Sequence, residues 1–125
     1  MTRIIKMKEP RMDNNGSCIN LNEANFRHDV LNNNQPVMVE FRADWSGTCD
    51  IMSPILEELR VHYAGQIAIV LVDADKNKNL AREYGITYLP TFVFFKKGQV
   101  VDHIVGATPK PVMAAKLDRL LQNKG

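Results

Sequence analysis

Cysteine, unbalanced charge and long apolar runs are all scarce in this sequence of 125 residues. Its two cysteines are too few for the disulfide framework of a small secreted domain. The 16 Lys and Arg residues stand against 14 Asp and Glu, so no strong field favours nucleic acid or an acidic partner. No apolar run approaches the roughly 20 residues that span a bilayer. We therefore expect a soluble, cytoplasmic protein that binds neither nucleic acid nor membrane.

Histidines with ligand spacing and a secretory leader are also missing. The three histidines, His28, His62 and His103, are scattered, which argues against a metal site. The opening of the chain is basic but lacks the apolar stretch of about seven or more residues that a signal peptide needs. We interpret residues 1–17 as a flexible arm and residues 18–125 as one domain, a length that suits a single buried core.

Hydrophobic periodicity predicts strands that alternate with helices along the chain. The predicted strands cover residues 19–21, 37–41, 67–72 and two segments within 91–105. The predicted helices cover residues 23–31, 49–63, a segment within 73–85 and 109–121. A tight Lys97-Gly98 turn makes the last two strands an antiparallel hairpin. The sequence thus predicts an α/β fold, with a mixed central sheet and helices on both faces.

The stretch 44-DWSGTCDIMSP-54, which follows the second predicted strand, resembles the active-site loop of the thioredoxin family. Trp45 and Cys49 frame the position at which that family has W-C-G-P-C, and Pro54 lies five residues past the second cysteine position. Ser46 occupies the place of the first cysteine. The loop therefore looks like that of a dithiol enzyme with one thiol removed.

Residues farther along the chain extend the resemblance over all but the arm and the tail. The segment 86-ITYLPTFVFF-95 matches the one that carries the family's cis-proline, here Pro90. Gly106 stands where the family has a late active-site glycine, and Asp75 keeps the expected spacing before Pro90. The resemblance implies the thioredoxin fold for this chain.

The resemblance also implies that the first loop cysteine is the nucleophile, activated by its place at a helix N-terminus. Ser46 cannot replace it, because a hydroxyl ionises far above any thiol and residues 42–49 contain no histidine to act as its base. Cys49 matches the second, resolving thiol, which the family shields within the first helical turn. Cys18 is interpreted as a packed apolar residue and not as its disulfide partner. We expect no dithiol turnover.

A second departure concerns the acidic residue that the family buries beneath the resolving thiol, close to a lysine on the next strand. Glu40 occupies the acidic position, but Leu71 replaces the lysine. Without a cationic partner, desolvation should push Glu40 towards its neutral form unless water or another donor reaches it. Thr48 in place of the loop proline is a milder change.

The family resemblance further implies an apolar groove that receives an extended peptide by main-chain hydrogen bonding. The residues of this groove are Trp45, Gly47, Thr48, Leu89, Pro90 and Gly106. The alternative is that Pro90 and Gly106 only shape the backbone, as they would in any protein of this fold.

Three hypotheses for the function stay open. The preferred one is a binding or chaperone-like role, in which extended or partly unfolded protein clients occupy the groove. The second is a monothiol oxidoreductase of cell redox homeostasis, in which Cys49 forms a mixed disulfide with glutathione or a client. The alternative to this second hypothesis is that Cys49 has a purely structural role. The third is that Ser46 is an introduced substitution in an ordinary thioredoxin. Leu71 argues against this, because removal of the nucleophile gives no reason to change the lysine position as well. None of them needs a cofactor, and we expect a monomer.

Overall fold

The computed structural model describes residues 19–122, and these form five strands and four helices. The strands are β1 (Asn20–Leu21), β2 (Val37–Arg42), β3 (Ala68–Asp73), β4 (Thr91–Lys96) and β5 (Gln99–Val105). The helices are α1 (Glu23–Phe26, continued by a π-helical turn over Arg27–Leu31), α2 (Gly47–His62), α3 (Lys78–Glu83) and α4 (Lys110–Gln122). This is the predicted order of elements. The predicted arm and Cys18 lie outside the described residues.

The five strands form one mixed sheet in the order β1-β3-β2-β4-β5. β1, β3 and β2 are parallel to one another, whereas β4 is antiparallel to both β2 and β5. Helices cover both faces of this sheet. The predicted α/β fold with a mixed central sheet is therefore confirmed.

The central strand β2 contributes to a hydrophobic core on each face of the sheet, because successive side chains of a strand point to opposite faces. Val39 and Phe41 pack in the core that contains residues of α1 and α3. Met38 packs in the other core, with residues of α2 and α4. Glu40 is buried as well, and the alternation places it on the same face as Met38.

Local chemistry explains how the hairpin closes. Lys97 and Gly98 both have positive φ, 54° and 78°, which is what the predicted tight turn between antiparallel strands requires. Gly98 is needed for a further reason: a Cβ at this position would lie 2.7 Å from the backbone oxygen of Leu31. The turn therefore approaches the end of α1 so closely that only glycine fits without a shift.

Helix α2 begins two residues earlier than periodicity predicted. Ser46 has an extended backbone, with φ −91° and ψ 113°, and its side chain accepts a hydrogen bond from the N–H of Cys49. This is the arrangement of an N-cap, for which serine is a preferred residue. The apolar pattern that begins at Ile51 could not show the start, because the first turn carries polar residues.

Candidate functional site

The predicted site residues come from four separate segments that meet at one edge of the sheet. Phe41 is in register with Val72 on β3 and with Thr91 on β4, and Thr91 is in register with Val105 on β5. The segments after β2, after β3, before β4 and after β5 therefore lie side by side. The strand register brings together Trp45, Asp75, Pro90 and Gly106 in this way.

Ser46 at this edge serves as a helix cap. Its Oγ accepts from the N–H of Cys49 at 3.3 Å, and its backbone oxygen accepts from the N–H of Asp50 at 3.2 Å. The Ser46 side chain is itself buried. The residue that replaces the family's nucleophile thus stabilises the first turn of α2, where backbone N–H groups otherwise lack partners.

The Cys49 thiol lies inside the protein. Cys49 is 0% exposed and is the free cysteine of the described residues. Disulfide exchange requires the attacking sulfur to reach its target, so this burial limits any reaction of the folded protein. The expected shielding of Cys49 agrees with the structure, while its redox role stays a prediction.

Glu40 has a cationic partner, and the expectation that it would lack one is wrong. The Nε of Arg42 lies 3.7 Å from Oε1 of Glu40. Leu71 does stand opposite Glu40 on β3, but residues two apart on a strand share a face, so Arg42 supplies a cation beside Glu40 from the same strand. The spacing of Glu40 and Arg42 is visible in the sequence, but the family pattern places the cation on the next strand.

Burial nevertheless dominates the electrostatics of Glu40. Desolvation raises the pKa of its carboxyl to about 7, and the positive charge of Arg42 only partly opposes this rise. Its Oε2 atom has no hydrogen-bond partner among residues 19–122. The expected shift towards the neutral form therefore agrees with the structure, for the predicted reason.

Arg42 also connects β2 to the loop that carries Trp45. Its Nη1 lies 3.1 Å from Oδ1 of Asp44, and its Nη2 lies 3.6 Å from Oδ1 of Asp50 in the first turn of α2. The three nitrogens of the guanidinium thus face three different carboxylates. Arg42, Asp44 and Asp50 were not among the predicted site residues.

The Trp45 side chain is exposed to solvent, and a hydrogen bond fixes its indole on one side. Its side chain is 71% exposed, and its Nε1 donates to Oδ2 of Asp75 at 2.6 Å. Asp73 orients the loop of Asp75, because its Oδ1 accepts from the backbone N–H groups of Asp75 and Lys76. Sequence spacing had singled out Asp75, but only the structure shows its contact with the indole.

The segment before β4 contributes the other side of the predicted groove. The Leu89–Pro90 peptide is cis, and the backbone oxygen of Pro90 accepts from the N–H of Gly106 at 2.8 Å. Thr91 fixes the preceding turn, since its Oγ1 donates to the backbone oxygen of Tyr88 at 2.6 Å. Within residues 19–122, neither the N–H nor the C=O of Leu89 makes a hydrogen bond. The main-chain groups of Leu89 are thus not used by other residues in this part of the chain.

Gly106, on the side of β5 in the predicted groove, has open space around it. Its φ of +93° lies in the region that favours glycine, and a Cβ added there would meet no atom within 4 Å. Gly47 and Thr48 are exposed at the start of α2, whereas Pro90 is buried and Leu89 is partly exposed. The structure brings the six groove residues to one edge, and their role in binding stays a prediction.

No group of three or more His, Cys, Asp or Glu side chains within residues 19–122 is placed to hold a metal ion. Over the same residues, no helix is long and apolar enough to cross a membrane.

The mixed sheet, the capped helix after β2 and the cis-proline at the same edge define a protein of the thioredoxin-fold class. A family model described as Thioredoxin matches residues 17–119. The chain is 39% identical over 105 residues to a thioredoxin of Pyropia yezoensis, an alignment that covers 84% of this chain and 98% of that protein. It is 41% identical over 101 residues to a thioredoxin of Synechocystis sp., with 81% and 94% covered. This chain belongs to the thioredoxin family.

Proposed function

We propose that this thioredoxin-family protein binds extended or partly unfolded protein segments in its groove and does not turn over a dithiol. The observation that carries the proposal is the pairing of a capping serine at the nucleophile position with an exposed Trp45 beside it. The site keeps a surface for a client, while the residue that would attack a disulfide is replaced.

Chemistry at Ser46 and Cys49 supports the second half of the proposal. A thiolate is the attacking species in disulfide exchange, and the Ser46 hydroxyl does not ionise in the range of a thiol. Cys49 remains, but its complete burial favours a structural role over a mixed disulfide with glutathione. The monothiol hypothesis therefore has less support than client binding.

The geometry at Leu89 supports the first half. An extended peptide binds to the edge of a fold by exchanging main-chain hydrogen bonds, and the N–H and C=O of Leu89 are not used by other residues within 19–122. Trp45 adds a large exposed aromatic surface, a residue type that often anchors a partner. Client selection would then depend on main-chain shape and on a few apolar contacts.

Capture of a permanently unfolded client tests this function. The client is a reduced, carboxymethylated model protein with a fluorescent label, and the readout is anisotropy with the full chain. We expect Trp45→Ala and Gly106→Asp to weaken capture. Gly65→Asp is the matched control for Gly106→Asp, because Gly65 also has positive φ and open space around it. Unchanged capture by Trp45→Ala and Gly106→Asp would contradict groove binding.

A disulfide-reduction assay separates binding from redox work. With a dithiol reductant supplied, the chain should leave a protein disulfide intact, and Ser46→Cys should reduce it. Activity of the chain without any substitution would instead show Cys49 at work alone. Activity of Ser46→Cys also fits an origin of this chain in an ordinary thioredoxin. We further propose a cytoplasmic monomer, in keeping with its low cysteine content.

A further inference from the structure

Trp45 lies between two aspartates of its own segment and contacts a third, and we call Asp44, Asp50 and Asp75 the rim of the groove. Asp44 immediately precedes Trp45, and Asp50 lies in the first turn of α2; both side chains are exposed. Asp75 arrives from the loop after β3 and accepts a hydrogen bond from the indole at 2.6 Å. One of the three carboxylates thus contacts the indole, while those of Asp44 and Asp50 face Arg42.

Nearby cations do not cancel the charge of the rim. The side chain of Arg42 is only 13% exposed and is shared among three carboxylates. Lys110 is bound to Glu58, farther along α2, with 2.8 Å between Nζ and Oε1. Lys76 follows Asp75 and can balance only one charge. The rim is thus negative, although the whole chain has a formal charge of +2.

Large apolar side chains are also exposed at this edge of the sheet. Besides Trp45, the exposed ones at this edge are Ile51, next to Asp50, and Tyr88, next to Leu89. Apolar residues at a binding surface that is rimmed by charge favour a partner with an apolar centre and flanking charges of the opposite sign.

We infer that the groove selects segments in which lysine or arginine flanks an apolar or aromatic residue. This inference rests on the proposed function, because it specifies the partner of the same groove. The apolar centre of the client packs against Trp45 while its main chain pairs with Leu89, and the flanking cations face the rim. Surface charges of this kind raise the association rate and discriminate between partners, and salt weakens their effect.

Three labelled peptides of equal length test the inference with the full chain. They share one apolar and aromatic centre and carry lysine, glutamine or glutamate on both flanks. At low ionic strength we expect the lysine peptide to bind about tenfold more tightly than the glutamine peptide, and the glutamate peptide to bind most weakly. At about 1 M salt, where charges are screened within about 3 Å, the three affinities should converge.

Paired variants assign the preference to the rim. Asp44→Asn with Asp50→Asn should reduce the preference for lysine to about twofold or less. Glu83→Lys changes the net charge by the same two units at an exposed position of α3, outside the loop, and should keep the preference. Trp45→Ala should weaken all three peptides.

The possible failures are distinguishable. Equal binding of the three peptides at low salt would overturn the inference and leave groove binding intact. A lysine preference that persists in the Asp44 and Asp50 double variant would also overturn it, because the charge would then act elsewhere. Failure of every peptide to bind would contradict the proposed function itself.

Discussion

The Glu40 carboxyl and the Arg42 guanidinium form a pair on one face of β2, with 3.7 Å between Oε1 and Nε. The partner that the family resemblance placed on the next strand thus comes from the same strand, two residues away. Because Arg42 also faces Asp44 and Asp50, the pair links the buried acid to the rim of the groove.

Glu40 should make stability depend on pH. Its pKa is 4.5 in an unfolded chain and about 7 in the folded protein. Below 4.5 both states hold the proton; between 4.5 and 7 only the folded state holds it, so the free energy of unfolding falls as pH rises. Above 7 the loss is complete and amounts to about 3 kcal/mol.

Glu40→Gln should remove this dependence. The gain in unfolding free energy of Glu40→Gln over the parent, from urea titrations, should grow from acid pH up to neutrality and then level off. Glu83→Gln, at an exposed position, is the control and should follow the parent at every pH. Parallel curves for Glu40→Gln and the parent would show that the buried carboxyl does not titrate in this range.

Arg42→Met should raise the pKa of Glu40 further above 7, because the cation that opposes the effect of burial is removed. The destabilisation should be larger at pH 8 than at pH 5, and about 2 kcal/mol at pH 8, where an ionised Glu40 would lack its partner. Arg42→Lys keeps the positive charge but not the several N–H donors of the guanidinium. Its free energy of unfolding should lie between those of the parent and Arg42→Met. The carboxyl carbon resonance of Glu40, followed against pH, measures the shift; a lower pKa in Arg42→Met would contradict the pairing.

Ser46→Ala should cost about 1 kcal/mol in unfolding free energy, since it removes the oxygen that accepts from the N–H of Cys49. Ser46→Gly should cost only about a few tenths of a kcal/mol, because glycine is itself a tolerated N-cap residue. Chemical denaturation of the three proteins measures the difference. If Ser46→Ala were as stable as the parent, the hydroxyl would contribute nothing as a cap.

Two glycines allow a comparison of strain with and without a clash. Gly65 and Gly98 both have positive φ, but only a Cβ at Gly98 meets the backbone of α1, at 2.7 Å from the oxygen of Leu31. We expect Gly65→Ala to cost about 1 kcal/mol from the backbone conformation alone. Gly98→Ala should cost clearly more, about 2–3 kcal/mol, because a shift of the turn is added. Thermal or urea unfolding of both variants measures these losses of unfolding free energy. Equal losses in Gly65→Ala and Gly98→Ala would mean that the turn at Gly98 shifts without cost.

Much of the fold could be predicted, since burial leaves a periodic mark on the sequence. The β2 segment was recognised from its continuous apolar run, and the Lys97-Gly98 turn from its place between two strand-like segments. The start of α2 was missed by two residues because a polar first turn leaves no apolar pattern. The site was predicted mainly by resemblance, and the Arg42 partner of Glu40 was missed because the family pattern places the cation on the next strand, where Leu71 stands.

The order of elements, the hairpin turn and the departures at Ser46 and Leu71 follow from residue type and local spacing, so they can be found in the sequence alone. Contacts between distant side chains depend on the fold of the whole chain. Trp45 and Asp75 are 30 residues apart and bond because β2 and β3 run parallel as neighbours, which brings the loops after both strands to one edge. The local periodicity of a sequence indicates whether a residue is buried. The residue that it contacts, however, depends on the long-range pairing of the strands.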